Sequence, residues 1–336
     1  MPHRAMYAAR RALSRRTKTE RQWRVCPEET VLAPGGTVLV AGWFSWSGHG
    51  ATAGDVLACQ VVCRWLHAAG RAFDVASVLP SLGGVDWRHV DPSAYSDVIF
   101  VCGPVGPQGT FSNLLERFPS SRHLGVDLTM LEPLETWNPF DVLIERDSNV
   151  TSRPDLSFAA EPRQVPILGV VLVEPYAPEY EGRDMQSEAR AAVERLINSR
   201  EAAVVEIDTR LEQNARGLRT ADEVASLISR MDAVVTTRLH GLVLAVRNGV
   251  PALAVDPVSG GAKIRQQAEA IGWPYVVTAE ELASTDLSAA LDACLTPQAR
   301  ELARVCASRA IQNVEAIHAE FLAALDAPTS GTSVGA

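Results

Sequence analysis

The chain has 336 residues, of which 47% are apolar and 21% charged, with a formal net charge of −9. That length gives two domains of ordinary size, each able to bury its own core. No apolar run reaches the ~18 residues of a membrane span, and no amino-terminal segment has a signal peptide's apolar centre. An acidic body argues against nucleic acid as the main partner, because phosphate binding needs a broad positive surface.

Charge is concentrated at the start. Residues 1–24 hold eight Lys/Arg and one acid, Glu20, a net of +7, so the remainder carries −16. Residues 1–30 are read as a disordered basic leader. The alternative is a basic helix, within residues 1–24, that touches an anionic membrane surface or a lipid-linked acceptor. The six cysteines contain no C-x-x-C. They are expected to be reduced and packed in the core, with Cys59 and Cys63 on one helix face as small hydrophobes and no metal bound. A cytoplasmic protein, in contact at most with the inner face of the membrane, is the expectation.

β-Branched apolar runs predict strands near 37–42, 72–78, 97–102, 122–127 and 141–145 in the first half, with a helix over 55–69. Between residues 160 and 166 the composition turns to loop, and a new buried strand opens at 167–173. The domain boundary is therefore set at 163/164, giving domains 31–163 and 164–326. The second half continues with a helix at 184–199, a strand at 203–207 and a helix at 221–230. Strands at 233–236 and 252–255 enclose a helix over 241–248. Helices follow after 261 and 279, and a last one spans about 297–325. Residues 327–336 are small and polar and are read as a disordered tail. Strands alternating with helices predict mainly parallel sheets.

The most informative stretch is MDAVVTTRLHGLVLAVRNGVPALAVDP, residues 231–257. Arg238 and His240 fall where a buried strand ends and a helix begins. Open α/β sheets bind ligands at that end, and helix starts favour anions. The chain has only two lysines, Lys18 and Lys263, and Lys263 lies just beyond the second strand in the loop Ser259-Gly260-Gly261-Ala262-Lys263, which its glycines predict to be flexible. A small, multiply charged anion is the expected ligand. The plainer alternative is an Arg paired with a core carboxylate and a His satisfied by a backbone carbonyl.

The run Thr237-Arg238-Leu239-His240, then Gly249-Val250-Pro251 and Lys263, resembles the hallmark of the polysaccharide pyruvyl transferase family. Weaker segments extend the resemblance over roughly residues 35–325. These are Val38 to Gly42 with Gly54-Asp55, the strand DVIFVCG at 97–103, and VLIERD at 142–147 followed by Arg153-Pro154-Asp155. Two places depart from the family's pattern. Thr52-Ala53-Gly54-Asp55 stands where N-x-G-D is common, and Cys102-Gly103-Pro104 where a G-G pair is common. The resemblance implies two Rossmann-like domains facing across a cleft, a GT-B-like α/β fold.

It also implies a chemistry. Pyruvyl transferases attach the enolpyruvyl carbons of phosphoenolpyruvate to a sugar or lipid-linked saccharide as a cyclic ketal, releasing phosphate, with no metal or organic cofactor. Arg238 would grip a carboxylate or phosphate bidentately, Lys263 would approach as a point charge, and the helix starts after Thr237 and Gly261 would add N–H donors. His240 would be the general acid that protonates the donor's methylene carbon. On the acceptor side, Gly54, Asp55, Trp46 and His49 are candidates, with Asp55 as a second catalytic group that binds or deprotonates a hydroxyl. Asp55 has a plainer reading as a helix-start carboxylate, and Trp43 and Trp46 as core residues. The Arg146-Asp147 pair reads as a structural ion pair at a strand end. Two rival functions keep the same site: a GT-B glycosyltransferase using a nucleotide sugar, and a non-catalytic partner protein of the same fold.

Overall fold

A computed structural model describes residues 37–326 apart from 49, 80–81, 109, 162, 174–181 and 213. The basic leader, the carboxyl-terminal tail and His49 lie outside the described residues. The chain divides into two compact units between Arg163 and Gln164.

Unit 1 runs β1 (Thr37–Gly42), α1 (Ala53–Ala68), β2 (Phe73–Val75), β3 (Tyr95–Val105), α2 (Thr110–Arg117), β4 (Arg122–Met130) and β5 (Val142–Ile144). Its sheet has the order β2-β1-β3-β4-β5, with every neighbouring pair parallel. Unit 2 runs β6 (Ile167–Val171), α3 (Gln186–Asn198), β7 (Ala203–Glu206), α4 (Ala221–Ile228), β8 (Ala233–Thr236), α5 (Leu239–Arg247), β9 (Ala252–Asp256), α6 (Lys263–Ile271), β10 (Val276–Thr278), α7 (Leu287–Cys294) and α8 (Pro297–Asp326). Its order is β10-β9-β8-β6-β7, again parallel throughout. Numbered within each unit, both sheets have the order 2-1-3-4-5. Two parallel, Rossmann-like α/β units are therefore present, each with one place where the strand order reverses.

The apolar runs become strands because both faces of each sheet are covered. In unit 1, Leu39, Phe100 and Leu128 enter one buried cluster, and Val38, Val40 and Val101 enter the cluster on the other side. In unit 2, Val234, Ala252 and Ala254 lie in one cluster, and Ala233, Val235, Leu253 and Val255 in the other. This is the period-2 alternation of strand side chains with both sets buried. The described cysteines, Cys59, Cys63, Cys102, Cys294 and Cys306, are buried inside these cores. The long α8 buries Ala299, Ala303 and Cys306 against unit 2.

At the reversal in unit 2, β6 and β8 lie side by side while β7 sits outboard. Two threonines join their carboxyl ends. The buried Thr236 hydroxyl accepts from the Arg238 N–H at 2.9 Å and donates to the Val171 carbonyl at 2.8 Å. Thr237 Oγ1 accepts from the Val173 N–H at 3.0 Å. Gly241 then brings α5 against this junction. A Cβ there would collide with Thr236 Oγ1 and stand only 2.9 Å from Thr236 Cβ and 3.1 Å from Val171 Cβ. Gly241→Ala is accordingly expected to overpack the junction and destabilise the fold by about 1–3 kcal/mol, read as a lower urea midpoint. A midpoint equal to wild type would mean that α5 can move away freely.

Candidate active site

The Arg238 segment sits at the reversal of unit 2. Arg238 is the N-cap residue of α5, with extended backbone (φ −119°, ψ 134°) and no side-chain bond to the cap. Its side chain is half-buried, and His240, the second residue of the helix, is exposed. Both follow β8 directly, so strand end and helix start place a guanidinium and an imidazole two residues apart. The first turn of α5 contains no acidic residue. Its positive dipole end is thus not neutralised from within the helix.

Lys263 is exposed at the start of α6, one strand over, after β9. The loop before it, expected from its glycines to be flexible, is held on two sides. Arg183 donates from Nε and Nη2 to the Ser259 carbonyl at 2.9 and 2.6 Å, and the Arg183 carbonyl accepts from the Ser259 N–H at 2.8 Å. On the other side Glu280 Oε1 accepts from the Ser259 hydroxyl at 2.5 Å and the Gly260 N–H at 2.6 Å. Beneath the loop, buried Asp256 accepts from the N–H groups of Val258, Ala262 and Arg265 at 3.2, 2.8 and 2.9 Å. The start of α6 thus already has its anion. Gly261 does not offer a spare donor either, because its N–H goes to the Val258 carbonyl at 2.9 Å. What Gly261 supplies is the left-handed turn, φ 74°, that leads into Lys263.

In unit 1, Asp55 occupies the third position of α1 and forms a capping box. Its Oδ2 accepts from the Thr52 N–H at 2.7 Å and the Thr52 hydroxyl at 2.8 Å, while its own N–H donates to Thr52 Oγ1 at 3.3 Å. The helix-start reading of this carboxylate therefore describes half of its capacity. Gly54 has ordinary backbone and room for a Cβ, whose nearest neighbour would be Thr52 Oγ1 at 3.5 Å, so no close approach requires glycine there. Trp46 is half-buried and packs on Trp43, Trp87 and Phe100 at centroid distances of 5.9, 5.9 and 5.8 Å. The ring of Trp43 lies so close over Gly103 that any side chain at 103 would run into it. These tryptophans build an aromatic wall at the end of β1 and β3 as well as a core.

Sequence reasoning missed a polar cluster beside that wall. Among the described residues, Cys102 and Asp127, on neighbouring strands, are the two non-glycine residues with positive φ, 63° and 59°. The Cys102 thiol donates to Asp127 Oδ2 at 3.0 Å. Burial pushes both groups up, the thiol further still through its hydrogen bond to the carboxylate. Asp155 Oδ2 pairs with Arg146 Nη1 at 2.6 Å, and Arg146 also reaches Asp147 Oδ2 at 2.8 Å and Thr129 Oγ1 at 2.6 Å. The structural ion pair read from Arg146-Asp147 is thus one arm of a larger network. The ligand atoms of Cys102, Asp127 and Asp155 lie within 4.8 Å of one another, a spacing that could hold a metal ion. The thiol is held protonated and Asp155 is already charge-paired, so the set fits a hydrogen-bonded cluster better than a metal centre. Two left-handed non-glycine residues side by side are the strain that marks functional positions.

Residues 140–259 match the family described as polysaccharide pyruvyl transferase. The match supports the resemblance read from the sequence. It takes in Arg146, Arg238 and His240, and it ends just before Lys263. No curated protein matches the chain. No helix among the described residues is long and apolar enough to cross a membrane.

The loop anchor has a pH signature. The Ser259 hydroxyl and the Gly260 N–H hold Glu280 down, from 4.5 to about 2. A carboxyl lowered in the folded state stabilises fully above its ordinary value and loses that contribution as pH falls. Hydrogen exchange of residues 258–262, corrected for intrinsic rates, should show full protection above pH ~4.5 and release as pH approaches about 2. Glu280→Gln should show the released pattern already at pH 7. Equal protection in variant and wild type would remove Glu280 as the anchor.

Proposed function

We propose that the protein is a pyruvyl transferase that moves the enolpyruvyl group of phosphoenolpyruvate onto a glycan or lipid-linked saccharide as a cyclic ketal. The observation that carries the reading is positional: the family match covers a strand end where an Arg and a His stand together at a helix start free of acidic residues. In this proposal unit 2 holds the donor and unit 1 the sugar, in the GT-B-like pairing that the resemblance implies.

The donor brings a carboxylate and a phosphate, about three negative charges. Arg238 supplies a planar fork for one group. Lys263 supplies a point charge, and the start of α5 adds its dipole. His240 delivers a proton to the methylene carbon, turning CH2 into CH3 and leaving an oxocarbenium-like centre. One sugar hydroxyl adds to that carbon, the C–O bond to phosphate breaks, and a second hydroxyl closes the ketal. Two hydroxyl protons are released in all. One restores His240 and the other leaves with the phosphate, so the step balances without an outside acid, and the proposal includes no metal or organic cofactor. Trp46 offers an apolar face for a sugar ring, and Gly54, His49 and the remaining oxygen of Asp55 are the other acceptor-side candidates in this proposal.

Incubation with phosphoenolpyruvate and a glycan panel, scored by phosphate release and product mass, tests the reading. Calorimetry with a nucleotide sugar beside phosphoenolpyruvate separates it from glycosyl transfer. Arg238→Ala should weaken phosphoenolpyruvate binding by about 2–5 kcal/mol, the loss of a charge-assisted partner, and Arg238→Lys should recover only part. His240→Asn should bind the donor within about tenfold of wild type but turn over roughly 10²-fold more slowly. Near-normal turnover in His240→Asn would move the proton source elsewhere.

A further inference from the structure

Gln186 opens α3, the helix that follows the first strand of unit 2. Doubly wound sheets commonly hold phosphate at that helix start. Gln186 is only 5% exposed, and its Oε1 is buried with no hydrogen-bond partner among the described residues. One turn along the same face, Arg190 Nε is buried in the same condition. The rest of the Arg190 guanidinium points the face out: Nη2 donates to the Val173 carbonyl at 3.4 Å and Nη1 to Glu194 Oε1 at 3.3 Å. The Val173 N–H in turn donates to Thr237 Oγ1, next to Arg238. The first two turns of α3, the end of β6 and the Arg238 segment thus converge on the strand-order reversal.

Buried polar atoms without partners are rare and need an explanation. A residue kept only for packing at position 186 would be better served by Met or Leu, and a guanidinium kept for an ion pair would not leave Nε bare. Lys263 is a weaker second grip than its charge suggests, since Asp256 and Glu280 already place two carboxylates on its loop. Arg190 stands on the β6 side of Arg238, and Lys263 on the β9 side.

We propose that Arg190 and Gln186 form the second anion grip of the donor site. Arg190 Nε–H takes an oxygen of one anionic group of phosphoenolpyruvate while Arg238 holds the other. The Gln186 amide, turned about its last bond, presents its NH2 to the same group. The inference rests on the donor reading above, but the side chains and their bare atoms are independent of it.

The test is calorimetry on the full chain with phosphoenolpyruvate and with inorganic phosphate, alongside thermal unfolding, for Arg190→Met, Arg190→Lys and Gln186→Met. The expected result is phosphoenolpyruvate affinity lowered about tenfold or more in Arg190→Met, partly recovered in Arg190→Lys, and lowered several-fold in Gln186→Met. The Tm of Gln186→Met should equal or exceed wild type, which a purely structural glutamine would not allow. If Arg190→Met binds phosphoenolpyruvate within twofold of wild type while Arg238→Ala does not, the second grip is wrong and the donor reading stands. If phosphate binding depends on Arg190 but phosphoenolpyruvate binds no better than phosphate, the grip stands and the donor reading falls. If wild type binds neither anion, both fall. Should Arg190→Met fail to fold, wild-type affinity in both Arg190→Lys and Gln186→Met overturns the grip.

Discussion

A parallel sheet sends every strand out at the same edge, and only where the order reverses do two adjacent strands release their chains to opposite faces. In unit 2 that place is the β6–β8 pair, and the hydroxyl of Thr236 is what closes it. The group is fully buried, yet both of its capacities are used, as acceptor for the Arg238 N–H and as donor to the Val171 carbonyl. A valine of the same shape would remove this link and leave only the Thr237 hydroxyl and the ladder to join the strand ends. The same hydroxyl fixes Arg238 in extended backbone, which makes it the N-cap and starts α5 at Leu239. Gly241 then allows the helix to sit directly on the threonine. The position of the guanidinium and the imidazole is therefore a consequence of backbone bonding at the junction.

Helix starts in this protein are mostly supplied with oxygen from the chain itself. Thr52 and Asp55 cap α1, Thr220 caps α4 with Asp222 and Glu223 in its first turn, Asp256 covers α6, and Asp286 caps α7. Each of these ends has its dipole and its leading N–H groups answered locally. The start of α5 is different, having an arginine at the cap and no acid in the first turn. A cation at the positive end of a helix is unfavourable unless an anion joins both. That contrast within one unit, more than the presence of Arg238 itself, is why the proposed function centres the donor on the start of α5, with Lys263 as a supporting charge.

Much of the fold is legible because it is local. Apolar runs such as 37–42, 167–171 and 233–236 carry their own strand signal, and each is buried on both faces as that signal implies. The short β10 and the helix α2 were not anticipated. Val276–Thr278 is three residues long, too short to show a period. Phe111 and Leu114 of α2 gain meaning only from the aromatic core they enter. The site divides in the same way. Arg238 and His240 are neighbours in sequence, so a strand followed by a helix was enough to find them. Cys102 and Asp127 are 25 residues apart, Arg190 and Val173 are 17, Ser259 and Glu280 are 21, and Arg183 and Ser259 are 76. Nothing in a window of ten or fifteen residues marks such partners. The same limit explains the loop at 257–262: its glycines read as freedom, and the restraint comes from side chains far along the chain.

The two units reach the same strand order with different chemistry at the reversal. In unit 2 the strand ends carry guanidinium and imidazole groups. In unit 1 the ends of β1 and β3 carry Trp43, Gly103 and the thiol of Cys102, with Asp127 on the next strand. The left-handed backbone at Cys102 and Asp127 turns both side chains out of the alternation that the sheet would otherwise impose. It costs of order 1–2 kcal/mol per residue, and the thiol–carboxylate hydrogen bond offsets part of that. Burial raises the Asp127 carboxyl above its ordinary value. An aromatic wall suits a neutral, hydroxyl-rich ligand, as the cationic edge of unit 2 suits a polyanion. The proposed split of donor and acceptor between the units rests on what each sequence places at one shared topological position, and the family match at residues 140–259 reaches from the Arg146 network of the first unit to the Arg238 junction of the second.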